Sequence, residues 1–236
     1  MRKHWTSIAL SCSLKWKRAG WVLLAMPVVS VLWYAIRESA KRKSFAEVSI
    51  SNVFEFVFIV GFIAMAYACV TVSGSSRSEY TRARMLTSER TQYLWEILVC
   101  CLFFLMLWQI EVITIYLGGI VHGLFPWNKY HPQDVAKAVQ HNEYYLTVIP
   151  QTLVGWLMRL AAVLCAGVGC ASITMHRKGS LDFVFAMLTL VFVPFLFGRN
   201  GLRAGLAEWF AVITLVLSIR RLTDGRGRDT DETMDG

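Results

Sequence analysis

The chain has 236 residues, of which 56% are hydrophobic and only 17% charged, and its mean hydropathy is +0.47. A soluble domain carries about 25% charge, and a disordered chain is polar and poor in aromatics. Both classes are excluded, and a polytopic membrane protein remains. The net charge of +8 is not a nucleic-acid footprint, which would form one continuous basic stripe. Its Lys and Arg instead cluster beside apolar blocks, at Lys15-Trp16-Lys17-Arg18, Lys41-Arg42-Lys43, Arg82 to Arg90 and Arg220-Arg221, where lipid headgroups and the positive-inside rule use them.

The first expected element is an amphipathic helix over 4–18. Trp5, Ile8, Ala9, Cys12 and Trp16 recur at helical spacing, and Ser7, Ser11, Lys15 and Arg18 fall opposite. That pattern suits a helix lying in the headgroup layer with its apolar face toward lipid. A bilayer core needs about 20 apolar residues as a helix. Six runs meet or approach this, at 20–36, 53–72, 94–118, 146–172, 181–197 and 202–219. The expected fold is therefore all-α, with six transmembrane helices in a single domain over 1–222 and a polar, disordered tail over 223–236. The last two runs are parted only by Gly198-Arg199-Asn200-Gly201. They form either two thin spans or a partly re-entrant hairpin.

Orientation follows from the basic residues. With the N-terminus inside, 15 Lys and Arg fall on the inner side and 8 on the outer, with Arg159 inside span four. The excess places both termini in the cytoplasm of a cell-membrane protein, although Lys41-Arg42-Lys43 lies on the outer side. Between spans two and three, Ser73-Gly74-Ser75-Ser76 breaks the helix. Ser76 and Glu79 then have capping-box spacing, so a short basic helix through Tyr80, Arg82, Arg84 and Leu86 is expected, with Thr87 or Ser88 starting span three. This is either a docking element for a soluble partner or a solvated positive-inside loop. The longest outer loop, 119–145, carries Trp127, Tyr130, Tyr144 and Tyr145 as an interfacial aromatic belt. Its His122, His131 and His141, with Asp134 and Glu143, lack metal-ligand spacing and read as surface residues.

The chemistry-bearing residues inside the spans are few. Ala161, Cys165 and Gly169 recur at intervals of four, a small-residue stripe that lets two membrane helices approach closely, within the monomer or at a dimer seam. Glu111 and Glu208 lie roughly 10 Å below the outer surface, and Arg159 about 20 Å below it. Charges at that depth are costly and mark function or a structural ion pair; here they line a path or lock helix packing. Glu55, Glu96 and Asp182 sit near span ends, where acidic residues are cheap and need no explanation. The six cysteines (Cys12, Cys69, Cys100, Cys101, Cys165 and Cys170) read as buried soft hydrophobes. The chain has no His-Glu-x-x-His, Gly-x-Ser-x-Gly or phosphate-loop motif, so catalysis, a cofactor or a metal in this chain is not expected.

The stretch Ser78-Glu-Tyr-Thr-Arg-Ala-Arg-Met-Leu-Thr-Ser-Glu-Arg-Thr-Gln-Tyr-Leu-Trp-Glu resembles the cytoplasmic loop of ABC-transporter permease subunits of the type-2 exporter class. In that family a Tyr/Thr-Arg-x-Arg-x-Leu-like element precedes a Ser/Thr-Glu/Arg pair and an apolar third span. The resemblance implies a six-span exporter permease that pairs with a second copy or a homologous permease. It also implies a separate ATP-binding subunit that holds ATP and Mg²⁺ and docks at Ser76, Glu79, Arg82, Arg84, Leu86, Glu89 and Arg90. The chain departs from the family between spans five and six, where Gly198 to Arg203 is too short for a re-entrant helical element unless the spans' apolar ends supply it. A reading from another class is a non-transporting membrane adaptor or sensor that signals through the basic loop.

Overall fold

In a computed structural model the described residues are 2–39, 50–71, 89–123, 143–175 and 181–193, with 209, 212, 213, 215 and 216 beyond them. All elements among them are helical. They are α1 (Arg2–Ser39), α2 (Ile50–Thr71), α3 (Glu89–Gly123), α4 (Glu143–Val148), α5 (Leu153–Met175) and α6 (Leu181–Phe192). Four stretches are long and apolar enough to cross a membrane: Lys15–Ile36, Val53–Val70, Arg90–Val121 and Leu153–Thr174. Among the described residues the chain is thus all-α, with four candidate transmembrane helices. Of the two remaining expected spans, 181–197 is described as far as 193, and 202–219 lies almost wholly outside the described residues.

Helix α3 is the axis of the bundle and packs most extensively on α1 and α5, while α2 closes against α1, α3 and α5 and α6 against α5. Contacts along α3 fix the directions. Trp16 lies against Phe103 with ring centroids 6.2 Å apart, and Ser11 bonds to Glu96, so α1 and α3 run parallel. Phe62 of α2 lies 4.6 Å from Phe104, while Phe54 touches the position of Gly118, so α2 is antiparallel to α3. Tyr93 meets Ser172 at 2.9 Å and Trp108 meets Trp156 at 5.3 Å, so α5 is also antiparallel to α3.

Close packing without a hydrophobic drive requires small residues at crossings. A Cβ added at Gly167 would lie 2.3 Å from Cys101 Sγ and 3.1 Å from the Ile97 carbonyl, so the backbones of α3 and α5 nearly touch there. One added at Gly169 would meet Leu190 of α6 at 3.3 Å. Cys165 and Gly169 of the small-residue stripe are buried, whereas Ala161 is exposed. The inner part of the stripe therefore serves contacts within the chain.

Two expected boundaries differ from those found. The 4–18 stretch and the first span form one continuous helix, α1, with Pro27 inside it; a proline is tolerated in a membrane helix because neighbouring groups re-satisfy the freed carbonyl. The run 146–172 is broken at Ile149–Thr152 into α4 and α5. Pro150 cannot donate a backbone hydrogen bond and pushes the residue before it out of the helical region. Thr152 then caps α5, its Oγ1 accepting from the Gly155 N–H at 3.2 Å.

Candidate functional site

The principal polar centre lies where α1, α2, α3 and α5 meet. Lys15 Nζ donates to Glu96 Oε1 and, at 3.2 Å, to Cys100 Sγ. Ser11 Oγ donates to the other carboxylate oxygen, Oε2, at 2.6 Å. Lys15 and Glu96 side chains are 1% and 2% exposed, so the pair is removed from solvent and lipid alike. Cys69 of α2 and Cys170 of α5 complete the centre, both within hydrogen-bonding reach of Cys100. Cys12, one turn before Lys15, is half-buried at its edge, and burial pushes its thiol above the usual value. Thr189 of α6 and the Tyr93–Ser172 pair are also buried, the latter about two turns from Cys100 along α3.

This centre overturns two expectations. Ser11 and Lys15 are expected on the polar side of a headgroup-layer helix, opposite an apolar face that includes Trp16 and meets lipid; the structure turns Ser11 and Lys15 into the bundle, while Trp16 is 56% exposed. In lipid an apolar side chain is content outside and a charge is not, so the polar stripe seeks the interior. Glu96 was read as a cheap span-end carboxylate. It is instead buried and bound by both Lys15 and Ser11: burying it alone would cost several kcal/mol, and those two partners offset that cost.

The centre sits at one edge of the apolar slab, because the candidate spans of α1 and α2 begin and end at Lys15 and Val70. A second polar layer lies toward the other edge. Glu111 and Thr114 are fully buried on α3, about 17 Å along the axis from Cys100 by helical rise. Trp108 Nε1 donates to the Val148 carbonyl at 3.0 Å, and the hydroxyls of Tyr116 and Tyr145 meet at 2.8 Å. These bonds draw the α4 segment against α3. Burial and the Tyr116 bond push the Tyr145 phenol up to about 12.

The other expected site residues are distributed as follows. Arg159 is half-buried on α5; the Tyr93–Ser172 and Trp108–Trp156 pairings set it roughly 9 Å along the axis from Glu111, on the side of the Lys15 centre. Glu208 lies outside the described residues, as do Ser76, Glu79, Arg82, Arg84 and Leu86. Glu89 and Arg90 form the first turn of α3, and Arg90 Nη2 is buried with no hydrogen-bond partner among the described residues. No group of three or more His, Cys, Asp or Glu among the described residues is arranged to hold a metal ion.

Lys15 and Glu96 were the residues that sequence reasoning missed. One signal was present: a Ser-x-x-x-Lys stripe entering an apolar run, and a glutamate inside Tyr93-Leu-Trp-Glu-Ile-Leu-Val, are mutually neutralising if the two helices touch. The chain matches no protein-family model, no curated protein and no solved structure. The described residues form a helical bundle with four helices apolar enough to cross a membrane, its central helix tied to the N-terminal helix by a buried ion pair.

Proposed function

We propose that the chain is the transmembrane permease subunit of an ABC exporter of the type-2 class, moving its substrate with ATP hydrolysed by a separate subunit. The observation that carries this reading is the construction of α3. From Glu89, inside the stretch that resembles the family's coupling loop, it runs unbroken to Gly123 through the centre of the bundle. Glu96, two turns in, is bound to α1. A push on residues 76–90 would thus be delivered to the central helix and, through the ion pair, to α1. Alternating access demands such a rigid connection between motor contact and spans.

In this reading 181–197 and 202–219 are the fifth and sixth spans, and the start of α1 lies at the cytoplasmic interface of the cell membrane with the C-terminal tail on the same side. Two such subunits, or one and a homologue, enclose the path. Glu111, Arg159 and Glu208 contribute its polar groups. Arg82, Arg84, Leu86 and Glu89 receive the ATP-binding subunit, which supplies ATP and Mg²⁺.

Co-purification from the native membrane tests this. An ATP-binding subunit is expected in stoichiometric amount, and Arg82→Glu with Arg84→Glu is expected to release it or to abolish its stimulation by the permease. A folded, membrane-inserted chain that carries no ATPase would favour the adaptor reading and refute the permease one.

A further inference from the structure

Three thiols from three helices gather at Cys100, which the Lys15 ammonium contacts, and the transport reading makes no use of them. Cys100 of α3 is fully buried with Lys15 Nζ 3.2 Å from its sulfur. Cys69 and Cys170 are its neighbours and each other's. The helix register brings them near: Phe62 opposite Phe104 places Cys69, two turns further along antiparallel α2, opposite Ile97, about one turn of α3 from Cys100. Cys170 falls between Gly167, which touches Cys101, and Ser172, which touches Tyr93. The α3 and α5 backbones nearly touch at Gly167, beside Cys101 and one turn from Cys170, and a disulfide between helices needs closely spaced backbones.

We propose that Cys100 is a peroxide-reactive thiol, activated by Lys15 and resolved by Cys170 or Cys69, so that oxidation ties α3 to α5 or α2 by a disulfide. The thiolate, not the thiol, is the nucleophile, and an adjacent ammonium favours it. Cys100 gives up its proton, and its sulfur attacks one oxygen of hydrogen peroxide. The S–O bond forms and the O–O bond breaks; the leaving hydroxide takes a proton and departs as water. The second thiol then attacks the sulfenic sulfur, forming S–S and breaking S–O, and its proton leaves with the hydroxyl as a second water. Two thiols are oxidised and one peroxide is reduced to two waters.

Hydrogen peroxide is the fitting oxidant because it is small and uncharged, and the centre sits at the edge of the apolar slab, where local opening suffices for entry. The neighbouring thiols supply an internal comparison. Cys12 and Cys101 are only partly buried, whereas Cys69, Cys100 and Cys170 are buried. If exposure alone governed oxidation, Cys12 and Cys101 would react first. If the ammonium governs it, Cys100 reacts first.

The test uses the full chain in phospholipid vesicles, treated with hydrogen peroxide over a time course, blocked with a maleimide, digested and mapped by mass spectrometry. The expected product is a Cys100–Cys170 or Cys100–Cys69 cross-link that precedes modification of Cys12 and Cys101 and disappears in Cys100→Ser. Lys15→Met with Glu96→Leu removes both charges together and is expected to slow the cross-link by about tenfold or more, while Lys15→Arg retains it. Earlier oxidation of Cys12 or Cys101, an unmodified Cys100, or an unchanged rate in the folded charge-free variant would overturn the proposal. Should that double variant fail to fold, the order of oxidation in the unaltered chain decides the matter alone.

Discussion

Lys15 and Glu96 show how a charge is housed next to lipid. Neither ion is tolerable alone at 1–2% exposure, and removing one partner of a buried pair strands the other at a cost of about 3–5 kcal/mol. Lys15→Met is therefore expected to lower the unfolding midpoint markedly in a detergent thermal scan, and Glu96→Gln to do so less, since its amide still accepts a bond. Lys15→Met with Glu96→Leu should recover most of the loss, because two apolar side chains replace the pair at low cost. An additive double variant would mean that the two groups do not interact. Tyr145 makes a second residue-scale prediction. Its folded value of about 12 exceeds the usual phenol value of about 10, so the fold holds the proton more tightly than the unfolded chain does. That contribution is complete below pH about 10 and is lost as pH rises toward about 12. Stability should fall across that window, and Tyr145→Phe should flatten the fall. The residue identities were visible in the sequence, but the pairing was not: amphipathic spacing separates polar from apolar faces without saying which one lipid will cover.

At the scale of elements, Gly167 of α5 makes the closest glycine crossing among the described residues, against α3. Alanine is the better helix former by about 1 kcal/mol. The added methyl, however, meets Cys101 Sγ at 2.3 Å and backbone atoms of Ile97 and Cys101 at 3.1 and 3.2 Å. The sulfur can rotate, but the backbone cannot, and overpacking of this kind costs typically about 1–3 kcal/mol. Gly167→Ala is expected to destabilise the protein despite its propensity gain, and adding Cys101→Ala should rescue it only in part. A fully restored midpoint would mean that the side chain alone set the contact. Thr152→Ala removes the cap of α5 and should cost about 1 kcal/mol in the same scan. The apolar runs announced α1, α2, α3 and α5 in the sequence, because the length and hydropathy of a span are local properties. The break at Pro150 was overlooked because its neighbours, Val148, Ile149 and Leu153, keep hydropathy high across it. Proline marked the break, and a hydropathy window cannot see it.

For the whole molecule, the described helices form one bundle around α3, with polar layers near each edge of the slab and apolar side chains outward. Trp21, Leu24 and Ile36 of α1 are each about two-thirds or more exposed, as a lipid-facing surface requires. Membership in this structural class was legible from composition alone. The convergence of Ser11, Lys15, Glu96, Cys69, Cys100 and Cys170 was not, since it depends on three helix registers that no single window contains. The proposed coupling rests on residues 76–90 being presented to a cytosolic motor, and single-cysteine labelling tests this most directly. Cysteines placed singly at positions 77, 82 and 84, in a chain whose native cysteines are serine or alanine, are probed with a membrane-impermeant maleimide. The account predicts labelling in inverted vesicles or permeabilised cells and none in intact cells. Labelling of those positions from the outside of intact cells would contradict it, because no ATP-driven partner could reach them.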